Sequence, residues 1–330
     1  MQRIVRIESV QQMGMLSDGS VSALPAEDFA LHKPDLHLAI MDEGALTSRL
    51  SIWWKHGPQL EGQKVGAIGH YAAGSDAAAT AVLDEACRVL ASNGMARVVG
   101  PMNGSLWRRH RFITSRGDYP QFFLEPENPD AYPLQFEAAG FQPFLRSTSS
   151  IVDDLTAPDE RAEEIAQTLK GRQVIIRPID LQKFEQELGA IHALVSHHFD
   201  EHPLYSPMSK QAFIDKHLRA RSTILPDLTL LAEVDGKLVG FIFAVPDLLQ
   251  ERRGHEIDTL VVRTLASAPE RRYAGLGRLL LAQVHTRAAD RGFRHVIHAL
   301  LPESSHWESL GQRSARIIRQ YAIFLRELPR

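Results

Sequence analysis

Apolar positions along this chain switch repeatedly between a period of two and a period near 3.6, the signatures of strand and helix. QRIVRIESV alternates and reads as a strand. LHLAIMDEGALTSRLSIWW reads as two strands around a Glu43-Gly44 turn, and KVGAIGHYAAG as a further strand ending in glycine. SDAAATAVLDEACRVLASNG is helical, with Ser75 or Asp76 to cap it and Gly94 to stop it. ARVVGPM follows as a buried strand. An irregular stretch rich in Arg, Pro and aromatics leads to a short helix in DAYPLQFEAAGF, then to a strand in FLRSTSSIVDDL.

A second cycle follows. Residues 153–173 are highly charged and read as a linker, although ERAEEIAQTLKG has helical spacing. VIIRPI is a strand, and FEQELGAIHALVSHHF and SKQAFIDKHLRAR are helices. LTLLAEVDGKLVGFIFAV is a hairpin turning at Asp235-Gly236. DTLVVRTLA is a strand, RRYAGLGRLLLAQVHTRAADRG a glycine-started helix, and FRHVIHAL a strand. A shift of 198 residues places Gly292 on Gly94, and Phe293, Val296 and Ile297 on Met95, Val98 and Val99. A duplicated α/β unit explains the echo economically.

With 330 residues, 44% of them hydrophobic and 23% charged, the chain is expected to fold as two soluble globular domains. Its 40 acidic and 37 basic residues leave a net charge of -3, which argues against a general nucleic-acid binder. Arg108, Arg109, His110 and Arg111 form the one basic cluster, read as a solvated or anion-contacting loop. The surrounding GPMNGSLWRRHRF, with Asn103, Arg109 and Arg111, has the makings of a polar pocket. The single Cys87 lies in an apolar helix pattern and suits a reducing compartment. No signal peptide and no membrane-length apolar run are read in the chain, so a cytoplasmic location without membrane contact is expected.

The candidate chemistry sits at the glycine-started helix. Arg272-Tyr273-Ala274-Gly275-Leu276-Gly277 has the form [RQ]-x-x-G-x-[GA]. A helix N-terminus offers unpaired N–H groups and partial positive charge, glycines let an anion approach the backbone, and an arginine adds a fork of donors. A P-loop lacks its Gly-Lys-Ser/Thr, and a dinucleotide fingerprint lacks its third glycine, since Leu280 stands there.

With its preceding hairpin, strand and Pro269, this segment resembles the GNAT superfamily of acyl-CoA-dependent N-acyltransferases, most clearly over residues 225–300. The resemblance implies a mixed α/β sheet and two tandem GNAT-like domains, divided as 1–152, a 153–173 linker, and 174–330. It implies that Arg271, Arg272, Tyr273, Ala274, Gly275, Leu276 and Gly277, with Val262 on the strand before, bind acetyl-CoA or another acyl-CoA. In the first half the matching positions are Gly74, Ala77 and Ala79, beside Asp76, so that copy looks degenerate and is not expected to bind CoA in the usual way.

Direct attack of an amine on the thioester is the implied reaction, with N-acetyl transfer the form expected. Glu256 and Asp258 are the candidate bases. The family's usual acid, a tyrosine after the fifth strand, is replaced here by Trp307, and in the first half by Phe136. His306, Ser305 or Ser309 stand as substitutes. His198 and Tyr205 are candidate contacts to the amine acceptor. His198 and His202 are four apart, but Pro203 interrupts and no third ligand is evident, so no metal is expected. A homodimer is left open. A non-catalytic CoA-binding regulator and a FemX-like aminoacyl transferase are the alternative functions.

Overall fold

In the computed structural model, which describes residues 3–157, 159–198, 203–303 and 315–329, the first half contains β1 (Arg3–Ile7), α1 (Ala26–His32), β2 (Leu36–Asp42), β3 (Ala45–Trp53), β4 (Gln59–Leu60), β5 (Gln63–Lys64), β6 (Gly66–Ala73), α2 (Asp76–Ser92), β7 (Arg97–Gly100), β8 (Phe112–Ser115), α3 (Ala131–Ala138) and β9 (Gln142–Val152). The second half contains α4 (Glu160–Gly171), β10 (Ile175–Pro178), α5 (Phe184–His198), α6 (Lys210–Leu218), β11 (Leu230–Val234), β12 (Lys237–Pro246), α7 (Leu248–Arg252), β13 (Thr259–Ser267), α8 (Leu276–Asp290), β14 (His295–Pro302) and β15 (Arg316–Glu327). Both hairpin turns read from the sequence are present. Glu43 and Gly44 have φ of 49° and 85°, and Asp235 and Gly236 have 49° and 74°. Such mirror-type turns match the twist of the strands they join.

β4 and β5 make a small ribbon. Every other described strand joins one mixed sheet, in the order β1-β2-β3-β6-β7-β15-β9-β14-β13-β12-β11-β10, with β8 paired to β15. β6 runs parallel to β7, and β13 parallel to β14. A parallel pair needs a crossover, and α2 and α8 supply it in the two halves. The Ser75 side chain caps α2 by accepting from the Ala78 N–H at 3.3 Å, and Gly94, at φ 80°, follows its last turn. The apolar face of α2 packs on β2, β3 and β6, and that of α8 on β12 and β13. On the opposite face of the second half, α5 and α6 cover Leu231, Phe241 and Ala266.

The packing differs from the division 1–152, 153–173 and 174–330 in two places. Within 153–173, α4 is a capped helix whose Ile165, Ala166 and Leu169 join the core under α8. The last strand, β15, lies in the first half's sheet. Its Phe324 pairs with Gly100 of β7, while Arg316 to Leu325 run against Ile151 to Gln142 of β9. β9 in turn pairs with β14 through Val296↔Val152. The halves therefore exchange strands across their boundary.

β15 also carries a buried ion pair. Arg319 is 1% exposed and donates through Nε to Glu125 Oε1 at 2.6 Å, and the Tyr321 hydroxyl donates to the same oxygen at 2.6 Å. Removing one partner leaves the other charge buried alone. Glu125→Ala is expected to cost about 3 kcal/mol or more, read from the urea midpoint. A loss under about 1 kcal/mol would show that the Arg319 guanidinium reaches water once released.

Candidate active site

β13 and β14 run side by side only from Thr259↔His295 to Val262↔His298. Beyond that each strand breaks register with its outer neighbour. β13 bulges against β12 between Val262, paired with Ala244, and Thr264, paired with Phe243, which leaves Arg263 unmatched. β14 breaks register with β9 between His298 and Leu301, and Leu300 takes φ 60°. Two bulges on neighbouring strands splay the sheet, and non-glycine residues at positive φ persist only where surroundings or function hold them.

The chain leaving β13 passes Pro269, forms a 3-10 turn over Arg271–Tyr273, and enters α8 through Gly275. Gly275 is at φ 88°, a left-handed position that an L side chain resists. A Cβ there would also lie 2.8 Å from Ile165 Cδ1 of α4, so this glycine serves backbone geometry and packing together. At Gly277 an added Cβ would make only ordinary contact, 3.5 Å from Leu265. Tyr273 and Leu276 are buried and anchor the turn in the core. Arg271, Arg272 and Ala274 are exposed. The Arg272 guanidinium stacks 4.7 Å over the Tyr273 ring, and its carbonyl accepts from Arg172. Arg278 grips both oxygens of Asp159, at 2.8 and 2.7 Å, and ties α4 to the first turn of α8. The first helical N–H to reach back is that of Leu279, to Gly275 O at 3.1 Å. The N–H groups of residues 276–278 precede it and have no carbonyl one turn earlier. No acidic residue stands in that turn.

The other expected site residues fall elsewhere. The Val262 side chain is buried in the core under α8. Glu256 and Asp258 precede β13, while the turn follows it, and nine strand residues separate them, roughly 30 Å of strand. These two carboxylates and the Arg271–Gly277 turn thus stand at opposite ends of β13. Burial raises the Asp258 carboxyl, but hydrogen bonds from Gln250 and Thr259, with His295 and Arg294 nearby, outweigh it and hold the group below the usual carboxylate range. His198 ends α5, and its side chain lies outside the described residues, as do Ser305, His306, Trp307 and Ser309. Tyr205 packs edge-on against Trp107 at 6.0 Å, and its buried hydroxyl has no hydrogen-bond partner among the described residues. Among the described residues no group of three or more His, Cys, Asp or Glu is placed to hold a metal. No helix among them is long and apolar enough to cross a membrane.

In the first half the matching features are filled by protein. β6 pairs with β7 only through Gly66↔Val98 and Ala67↔Val99. Residues 102 and 103 close the gap beyond, with Met102 N donating to Ile68 O at 2.7 Å and His70 N to Asn103 Oδ1 at 2.8 Å. His70, at φ 50°, lies where β6 loses register with β3. It joins a chain of side chains. His32 Nδ1 is 2.7 Å from His70 Nε2, His70 Nδ1 is 2.8 Å from Ser51 Oγ, and Ser51 Oγ is 2.8 Å from His37 Nδ1. At the helix start Ser20 covers Gly74, and Asp76 accepts from Gln135 at 3.0 Å.

Residues 191–305 match the model of the acetyltransferase (GNAT) family. A GCN5-related N-acetyltransferase from Anabaena variabilis superposes with a TM-score of 0.57 at 15% identity, over 99% of this chain and 73% of its own. A tandem GNAT protein from the clavulanic acid biosynthesis pathway superposes with a TM-score of 0.51 at 11% identity, over 100% of this chain and 99% of its own. The GCN5-related glucosamine N-acetyltransferase region of a fungal multi-domain β-N-acetylglucosaminidase gives a TM-score of 0.57 at 14% identity, over 98% of this chain, which spans only 38% of that protein. No curated protein sequence matches significantly. At such identities the superpositions speak for the fold. Residues 191–305 therefore belong to the GNAT acetyltransferase family, and the chain as a whole has the tandem GNAT fold.

Proposed function

We propose that the second half is an acyl-CoA-dependent N-acyltransferase, with acetyl-CoA the first donor to test, and that the first half is a scaffold with no CoA site of its own. One observation carries this reading: the turn Arg271–Gly277 opens α8 with free N–H groups, two exposed arginines and no acid. These groups suit a pyrophosphate. The closed gap and Asp76 in the first half argue against a second such site. Bound acyl-CoA would supply an activated thioester. The protein's part is to hold the turn rigid through Tyr273, Leu276 and the Arg278–Asp159 pair, and to seat the acceptor amine at the splay of β13 and β14.

Gly277→Glu separates binding from folding. Its Cβ has room, and an acid in the first turn favours the helix while repelling phosphate. The melting temperature is expected to hold, while acetyl-CoA affinity falls by about tenfold or more in calorimetry. Equal affinity in both proteins would remove the turn from the site. Release of free CoA thiol with an amine present is the expected readout of transfer, and binding without release would leave a regulator instead.

A further inference from the structure

At the junction of the two halves four cations gather, and among the described residues no carboxylate is hydrogen-bonded or ion-paired to any of them. Arg263 is the unmatched bulge residue on β13, and among the described residues its guanidinium has no hydrogen bond or ion pair. Val262 beside it packs under α8, while Val261 packs on the opposite face with Tyr321 and Leu300. The charge of Arg263 acts on Arg111 and on Lys216 of α6, a helix that covers this opposite face. Arg111, itself at φ 68°, reaches Leu300 O at 3.3 Å and Ser147 Oγ at 3.0 Å. Lys216 donates to the carbonyl of Trp107, and Arg108 to His32 O at 2.9 Å and Asn103 O at 3.2 Å. Each of these acceptors is neutral. The buried Tyr205 hydroxyl, without a partner among the described residues, lies beside Trp107 in the same junction.

Arg108, Arg111 and Arg263 are half-buried and Lys216 is exposed, and like charges gathered at such a junction repel one another unless an opposite charge joins them. Burial, and then Arg263, pulls Arg111 down to about 9, and burial, then Arg108 and Arg263, lowers Lys216. The cluster does not belong to the α8 turn, since it lies on the other face of the sheet with Thr264–Ser267 and the loop between them.

We infer that this junction, centred on Arg263 with Arg111 and Lys216, binds an anionic group, a carboxylate or phosphate, carried by the amine acceptor. The inference deepens the N-acyltransferase reading and rests on it. It also gives the acceptor amine a reason to react. The surrounding positive potential disfavours the ammonium form, and only the neutral amine is a nucleophile. The anionic group then holds in the site a molecule whose amine the field alone would repel.

The test uses the full chain with saturating acetyl-CoA and pairs of amines that differ in one charge: the common amino acids against their carboxamides, and phosphoethanolamine against ethanolamine. Thiol release gives kcat and KM, and calorimetry gives the affinity of each amine and of acetyl-CoA. The expected result is an acid, or the phosphate ester, used with KM about tenfold or more below its neutral twin. Which of the two classes is used identifies the anion. Arg263→Gln is expected to raise that KM by about tenfold or more with a smaller change in kcat, leaving acetyl-CoA affinity unchanged. Its melting temperature should not fall, because an unpaired charge has been removed. Lys216→Met gives a second, independent reading from α6. Neutral amines used as well as their charged twins, or no binding of any anionic amine, would overturn the inference while acetyl-CoA binding leaves the N-acyltransferase reading standing. Failure of acetyl-CoA to bind would remove that reading, and calorimetry with the anionic amines alone would still decide the cation site.

Discussion

A chain ending at residue 315 is expected to lose the folded state of both halves. β15 is the final strand in sequence, yet it lies between β7 and β9 in the middle of the sheet. Ile318, Tyr321, Ile323 and Phe324 of this strand are all at most 4% exposed, and Phe324 packs against Phe112 and Phe136 at 6.3 and 6.0 Å in the first half's core. Burying each such side chain is worth about 1.5–3 kcal/mol, so the four together match the whole net stability of a typical domain, about 5–15 kcal/mol. The deletion also strips the backbone partners of β7, β8 and β9, and leaves Glu125 buried without Arg319. The second half loses its neighbour too, since β14 is bordered by β9. Near-ultraviolet circular dichroism and a urea titration of the truncated chain measure this. A cooperative transition surviving at the full chain's midpoint would show that β15 is dispensable, contrary to its place in the sheet.

Acid should weaken the fold well before carboxylates titrate. Burial first, and then Arg49, holds His37 down at about 3. Burial, then His32, His37, Arg49 and Arg108, holds His70 at about 2, and burial holds His285 at about 4. His37 is fully buried and its Nε2 has no partner among the described residues, so a proton there would find no acceptor among them. Each of these imidazoles is neutral in the folded protein, whereas in the unfolded chain it takes up a proton near 6.5. Their contribution to stability is thus complete above about pH 6.5 and declines as pH falls toward the folded values. At about 1.4 kcal/mol per pH unit, each costs about 2 kcal/mol at pH 5 relative to pH 7.5, and the three together about 6 kcal/mol. Urea denaturation at the two pH values reads the difference directly. His37→Gln should remove about a third of it. Equal midpoints at pH 5 and 7.5 would mean that these rings are protonated within the fold.

Much of the local structure was legible because its causes are local. Ser75, Gly94, the Asp235-Gly236 turn and the glycine entry to α8 act through backbone dihedrals and caps that a few neighbouring residues decide. The repeat of strand, helix and strand was equally readable, because a parallel pair demands a crossover and leaves the same period change in both halves. The candidate site was legible only in part. Arg271–Gly277 is one contiguous turn, so its spacing showed. Glu256 and Asp258 lie at the end of β13 away from that turn, because nearness in sequence to a strand says nothing about which of its ends a residue occupies relative to the turn. Arg263 carried a signal that reading passed over, a lone charge inside the apolar TLVVRTLA.

The sequence by itself determined α2, α8, the two hairpins and the glycine turn before α8, since each is held by contacts within a few residues. Tertiary structure alone decided that α4 closes the second core, that β15 crosses into the first half, and that Arg111, Lys216 and Arg263 meet at one junction. Strand pairing is chosen by burial and backbone partners summed over the whole sheet, and a sequence stretch that suits one sheet position suits several. Charges distant in sequence, such as Arg111 and Arg263, come together only after that choice has been made.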